Sequence, residues 1–259
     1  MTTHTTSART ARTAITALGA GLLLAGCSFS GSFADGAYRT ATADATVPEA
    51  VTAVKLTGVR SGSIAVTPAA GPGVTIKRTV HYRGDTVPKT GQKVTGGVLT
   101  FSKDCSGDCY VDYRLEVPAT ATVDLESSSG DITVTGVAAA EVESDSGEVT
   151  AERIGGPLKV RTSSGGITAT GLSGPSAEVR STSGDVTVDF TKAPSSVLAE
   201  TTSGDVTVKA PRAPYAIKAS TDSGDRDITL PDDPSATSPL SVRTSSGDIH
   251  ISAVLSDPM

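Results

Sequence analysis

Three kinds of residue in this chain could do chemistry: Cys27, Cys105 and Cys109; His4, His81 and His250; and an acidic residue that follows a Ser-Gly pair again and again. The acids are Asp131, Glu148, Asp185, Asp205, Asp225 and Asp248, with Gly166 in the one remaining place. Stacked carboxylates could hold Ca²⁺, which takes oxygen ligands. Calcium β-rolls use a nine-residue Gly-Gly-x-Gly-x-Asp repeat, however, and that is absent. An Asp after a tight turn bonds nearby backbone without any metal. Whether this column binds Ca²⁺ stays open; no metal ligand and no cofactor is assigned. Neither His81 nor His250 sits in a catalytic motif, Ser-Gly-Asp recurs too often to mark a nucleophile, and no G-x-S-x-G elbow exists. The Thr column Thr133, Thr150, Thr168, Thr187, Thr207 and Thr229 is flanked by Thr135, Glu152, Thr170, Asp189 and Lys209. That mixture is an ordinary exposed strand surface rather than a flat ice-binding array.

The cysteines speak about compartment. Arg9 and Arg12 precede an apolar stretch from Ala14 to Leu24, too short to span a bilayer, which needs ~20 residues, and of signal-peptide proportions. It closes on Leu24-Ala25-Gly26-Cys27, which resembles the lipobox of bacterial lipoproteins. The resemblance implies diacylglycerol on the Cys27 sulfur, cleavage before Cys27 and acylation of the new amino terminus. The alternative is a plain secretory signal with Cys27 incidental. Residues 1–26 contain two Arg and no acid, so their removal takes the net charge from −6 to −8. Cys105 and Cys109 are then an even pair in an exported domain, flanking Ser106-Gly107-Asp108, and are expected to form a disulfide. A zinc site would need more Cys or His than the chain offers.

The elements that carry these residues must be strands. Apolar residues make up 37% of the 259 residues and aromatics 3%, with no Trp and 27 Gly. Such a chain cannot fill a broad core with bulky side chains, yet its Val, Ile and Thr are ordered. Ser-Gly recurs at Gly130, Gly147, Gly165, Gly184, Gly204, Gly224 and Gly247, at intervals of 17, 18, 19, 20, 20 and 23 residues. A period near 20 predicts a stacked solenoid. Five and seven residues before every one of these glycines stand apolar residues, from Val123 and Leu125 to Leu240 and Val242. Two after it come Ile132, Val149, Ile167, Val186, Val206 and Ile249, with Ile228 displaced as if Ser223-Gly224-Asp225-Arg226-Asp227-Ile228 held two extra residues. Period two on each side of a Gly is strand, corner, strand. The expected fold is all-β: a single-stranded parallel β-helix (solenoid) of ~18–20-residue rungs with an irregular N-terminal strand cap. Its outward columns set Glu143 beside Arg161, Arg180 beside Glu200, and Glu141, Lys159 and Glu178 in line.

The expected organisation is a lipoprotein signal peptide over 1–26, lipidated Cys27 and a flexible tether over 27–50, an irregular β region over 51–118, and the Ser-Gly-Asp-Ile/Val repeats over 119–255. The segment Val111-Asp112-Tyr113-Arg114-Leu115-Glu116-Val117-Pro118 followed by those repeats resembles the DUF4097 family. That resemblance covers roughly residues 50 to 255. It implies an exported or membrane-attached β-strand-repeat protein, whose adhesin label is drawn from the repeats, and it brings no catalytic residues. The chain is therefore expected to be non-enzymatic and lipid-anchored on the extracytoplasmic side of the cell membrane, a surface interaction or structural module for an unidentified surface or envelope ligand. Alternatives are a polysaccharide-binding or polysaccharide-cleaving β-helix and a self-assembling envelope scaffold. The net charge of −6 without a basic block excludes nucleic acid as an expected partner.

Overall fold

The computed structural model describes residues 38–102, 105 and 107–254. Cys27 and the signal sequence lie outside the described residues. The chain opens with β1 (Arg39–Thr42) and β2 (Ala45–Val47), then makes a rung from β3 (Ala53–Val59) and β4 (Ile64–Ala69). It leaves the stack for β5 (Val74–Tyr82) and β6 (Gln92–Thr95), and returns for a second rung, β7 (Val98–Phe101) with β8 (Cys109–Pro118). Seven rungs follow: β9 (Thr122–Ser129) with β10 (Ile132–Thr135), β11 (Ala139–Ser146) with β12 (Val149–Glu152), β13 (Leu158–Ser164) with β14 (Ile167–Leu172), and β15 (Ser176–Ser183) with β16 (Val186–Phe190). The last three are β17 (Ser196–Glu200) with β18 (Val206–Ala210), β19 (Ala216–Ser223) with β20 (Arg226–Ile228), and β21 (Pro239–Ser246) with β22 (Ile249–Ala253).

Odd and even strands of the rungs build two sheets that face each other across a narrow core. One runs β1-β5-β8-β4-β10-β12-β14-β16-β18-β22-β20, with β2 also on β5; the other runs β19-β21-β17-β15-β13-β11-β9-β3-β7-β6. All rung-to-rung pairs are parallel. The alternation read in the sequence is the burial observed: Leu125, Val142, Val160, Val179, Ala199 and Val242 are all buried, as are Ile132, Val149, Ile167, Val186, Val206 and Ile249. Small aliphatics suffice because each rung contributes only a few inward side chains to a two-layer core.

The stacking order departs from the chain order at both ends. The rung β7/β8 lies outside β3/β4, and β21/β22 lies inside β19/β20. Gly247 therefore stacks on Gly204, and Gly224 is outermost. Ser223 to Ile228 contains no extra residues either: Arg226 pairs with Ile249 and Ile228 with Ile251. The end rung simply has Arg226 where its neighbours have Ile or Val. With nothing packed beyond it, Ile228 is 40% exposed, and an apolar residue at 226 would gain little burial.

Two expectations for the N-terminal region are corrected. Residues 39–47 are not tether: β1 and β2 pair antiparallel with β5, burying Ala41 and Val47. Their short polar alternation hides the strands, but it covers an edge that would otherwise be unpaired. Ser61-Gly62-Ser63-Ile64 is a regular corner rather than an irregular one. Gly62 has φ +117°, like the repeat glycines, and Gly130 stacks directly on its carbonyl. Irregularity lies in β5, β6 and the return into β8, with a bulge in β3 between Leu56 and Val59.

At each corner the glycine is required twice. Gly204 has φ +137°, which L-residues avoid. A β-carbon there would also stand 2.4 Å from the Gly184 carbonyl oxygen of the rung below. Gly71, at φ +106° with open space around it, carries the first demand alone. Gly204→Ala is expected to lose at least ~2 kcal/mol in denaturant unfolding, clearly more than Gly71→Ala. Equal losses would show that close stacking is not what the corners require.

Candidate functional site

The outer face of the odd-strand sheet collects most of the ion-paired side chains of the repeats. Strand alternation turns the residues six, four and two before each corner glycine outward, and parallel register aligns them rung upon rung. Glu141 pairs with Lys159 and is held below the usual carboxylate range, first by its bond from that ammonium. Lys55 donates to Asp124 at 2.5 Å. Glu143 lies 3.6 Å from Arg161, which donates to Glu178 at 2.7 Å; Glu178 also holds Arg180, and Arg180 donates to Glu200 at 2.9 Å. Arg161 and Arg180 are direct neighbours in register, and Glu178 bridges these like charges. Such half-exposed pairs add little singly, but a one-rung slip would break the whole chain of them.

This ionic ridge runs along the stack between two troughs. One, about 590 Å³, lies over the approach to the corners; Ser163, Thr182, Thr202 and Ser245 line it, with Glu126 and Arg243 at opposite ends. The ladder skips one residue there, passing from Ser144↔Thr162 to Ser146↔Ser164, and this repeated kink creases the sheet. The other trough, about 450 Å³, runs over the strand starts and is lined by small residues including Ala53, Ala139, Ala140 and Pro157.

Beneath the crease lies a column the sequence reading missed. Ser127, Ser144, Thr162, Ser181, Thr201 and Thr244 point inward and are buried, although polar. Each hydroxyl donates to a nearby backbone carbonyl: Ser127 to Ser129, Ser144 to Ser146, Thr162 to Ser164, and Thr244 to Gly204 at 3.0 Å. The bond satisfies the buried group and holds the kink. Its signal was available, since Ser or Thr stands three residues before all seven repeat glycines.

The acidic column has a structural task. The Asp131 Oδ1 accepts the Glu148 amide at 2.9 Å, Asp185 that of Asp205, Asp205 that of Asp248 at 2.7 Å, and Asp248 that of Asp225. Each carboxylate thus caps the next rung in one direction along the stack. No three His, Cys, Asp or Glu side chains gather as a metal-holding group among the described residues.

Of the remaining reactive residues among those described, His250 lies on β22 with its Nδ1 3.9 Å from Asp227 Oδ2, and the others lie in the cap. Cys105 and Cys109 are joined, with Cα atoms 5.9 Å apart. His81 Nε2 is 2.9 Å from Asp112 Oδ2, while Ser63 Oγ donates to Asp112 Oδ1 at 3.0 Å. The carboxylate stands in the middle, so the imidazole does not touch the hydroxyl it would have to activate. Arg78 is buried, its guanidinium pressed below its ordinary pKa by that burial. It donates to Ala43 O and to Gln92 Oε1 and lies 5.3 Å from the Phe101 ring centre. In the repeats, burial likewise raises Asp189, whose Oδ1 has no hydrogen-bond partner.

The family model described as "Toastrack DUF4097" matches residues 93–252. Among solved structures, the chain is similar to a protein from Bacteroides fragilis described as a "putative adhesin", with TM-score 0.47 and 16% identity over 83% of this chain and 97% of that one. A "putative cell adhesion protein" from Clostridium sporogenes gives TM-score 0.37 and 12% identity over 84% and 100%. A "putative lipid binding protein" from Parabacteroides distasonis gives 0.38 and 12% over 85% and 98%. No curated protein matches the chain.

Two outcomes follow from this geometry. Asp205→Asn keeps an acceptor for the Asp248 amide and is expected to change the melting temperature little, whereas Asp205→Ala removes it and costs about 1 kcal/mol. Chelator sensitivity of the unmutated protein, matched by a large Asp205→Asn loss, would mean that a cation is held there. Asp189 has a folded pKa above its unfolded one, so the native state binds the extra proton and stability falls as pH rises through the titration. Asp189→Asn is therefore expected to melt higher than the unmutated protein at pH 7, with the gain vanishing below about pH 3. A gain independent of pH would refute the assignment.

Proposed function

The chain belongs to the Toastrack DUF4097 family, and from that premise we propose that it is a lipid-anchored, extracytoplasmic β-solenoid that works by contact rather than catalysis. One observation carries this reading. The polar side chains of the repeats are laid out once per rung along a rigid face, ion-paired from Glu143 to Glu200, instead of converging on one point. A catalytic site needs a nucleophile, base and orienting group within reach of one reacting atom; a binding face needs repetition and rigidity. The Leu24–Cys27 ending supports the anchor, since acyl chains on Cys27 would tether such a face outside the membrane.

A second reading is favoured by the hydroxyl-lined trough beside the ridge. Ser163, Thr182, Thr202 and Ser245, with Arg243 and Glu126 at its ends, offer the donors and acceptors that an extended glycan would use. Retention on a glycan array without release of reducing sugar would support it.

The anchor is tested directly. Cys27→Ser is expected to block acylation and to move the protein from the membrane fraction to the medium or soluble envelope fraction. Retention of the variant on membranes after a salt wash would overturn the lipid anchor.

A further inference from the structure

The ion chain of the ridge closes without using all of its cations. Along the stack, Glu143, Glu178 and Glu200 hold Arg161 and Arg180 between them, so the chain begins and ends on a carboxylate. Arg243 comes next, with Glu200 in register on one side and Ser220 on the other. Glu200 is taken by Arg180 at 2.9 Å, and the exchanged rung order places Ser220 where an acid would have continued the alternation. The Arg243 side chain is exposed. Among the described residues no carboxylate, Asp222 of the end rung included, stands within ion-pair distance of it.

This free guanidinium lies at one end of the trough of about 590 Å³. Ser163, Thr182, Thr202 and Ser245 line the trough from the consecutive stack positions β13, β15, β17 and β21, at one hydroxyl per ~4.8 Å. The inward hydroxyls of Thr162, Thr201 and Thr244 beneath them are spent on backbone carbonyls. The four outward hydroxyls bond no other group among the described residues. The opposite end of the trough is acidic, with Glu126, Glu143 and Asp145 in its lining.

We infer that the trough takes an extended glycan bearing a carboxylate, and that Arg243 is the subsite for that acid. A guanidinium meets a carboxylate through two parallel N–H bonds, and the protein leaves that fork open at Arg243. The hydroxyl row both donates and accepts, which suits the hydroxyls of neutral sugars next to the acidic one. Glu126, Glu143 and Asp145 repel a second acid at the far end. The ligand is thereby oriented, its acid over Arg243 and its neutral sugars running toward β11. The inference rests on the glycan reading of this trough and adds to it the class of sugar, its direction and the residue that selects it.

Matched tetrasaccharides separate the inference from the reading beneath it. Linear cello-, chito- and mannotetraose, each unmodified and with the hydroxymethyl of one terminal sugar oxidised to a carboxylate, are titrated against the full chain by calorimetry. At least one of these backbones is expected to bind, its acid form about tenfold tighter or more than its neutral form, with the preference shrinking at high salt. Arg243→Gln is expected to bring the acid form down to the level of the neutral one. Lys192→Gln removes a charge at an exposed position outside the trough and is expected to keep the preference. Thr182→Ala/Thr202→Ala is expected to weaken both forms alike. No binding of any sugar refutes the glycan reading and the inference together. Equal binding of the two forms, a preference that Arg243→Gln retains, or an equal loss in Lys192→Gln overturns the acid subsite and leaves the glycan reading standing. Melting curves confirm that the variants fold. If Arg243→Gln does not, Arg243→Lys must still lower the preference, because an ammonium lacks the planar fork, and an unchanged preference overturns the proposal.

Discussion

At every corner of this stack a carbonyl oxygen occupies the place where a β-carbon would otherwise be. From Gly130 to Gly165 and from Gly184 through Gly204 and Gly247 to Gly224, an added β-carbon would stand 2.0–2.4 Å from the oxygen below. That contact fixes the corner, and the corner fixes the phase of the strands on both sides. Phase in turn decides which residues form the core and which face outward. A one-residue slip would turn every side chain to the other face, so a single column of glycines governs the positions of all the others. The buried hydroxyls three residues earlier and the carboxylates one residue later reinforce the same bend from inside and outside.

A solenoid must also end, and both ends of this one use an arginine in an inward column. Arg78 follows the buried alternation of Val74, Ile76, Val80 and Tyr82, yet it closes the first end of the core with bonds to Ala43 and Gln92. Arg226 takes the place of Ile or Val in the outermost rung and donates to Ala219 O. Asp232 accepts the Ile217 amide beside it. The outer edge of β19 is thus occupied by the chain's own groups, which works against end-to-end stacking of copies. The exchanged rung order has the same logic, because β21/β22 completes the regular stack and leaves the atypical rung outside.

The regular middle of the molecule was legible from spacing alone because each of its rungs repeats one solution to one steric problem. Glu143 beside Arg161 and Arg180 beside Glu200 could be placed without coordinates. The ends were not legible, since their residues answer to the absence of a neighbour. Gly224 reads as the sixth corner and is spatially the last; Arg226 reads as an insertion and is a substitution. Thr40 to Val47 reads as linker because two short edge strands need only Ala41 and Val47 inward. The hydroxyl column was hidden for another reason: Ser and Thr are so common in this chain that an inward row of them looks like background.

The narrow core limits where function can reside. The inward Val, Ile, Leu and Ala of the two sheets are packed to single-digit exposure, and each inward position is held by the rungs above and below it. Outward positions carry no such constraint beyond register. There the sequence varies from Glu to Arg to Ser within one column, as at 143, 161, 180, 200, 220 and 243. Chemistry is thereby spread along the stack at one element per ~4.8 Å instead of concentrated in a pocket. A ligand meeting such a face gains by matching its spacing over several rungs, so specificity resides in the order of the charges, and rigidity of the glycine-stacked backbone is what keeps that order in place.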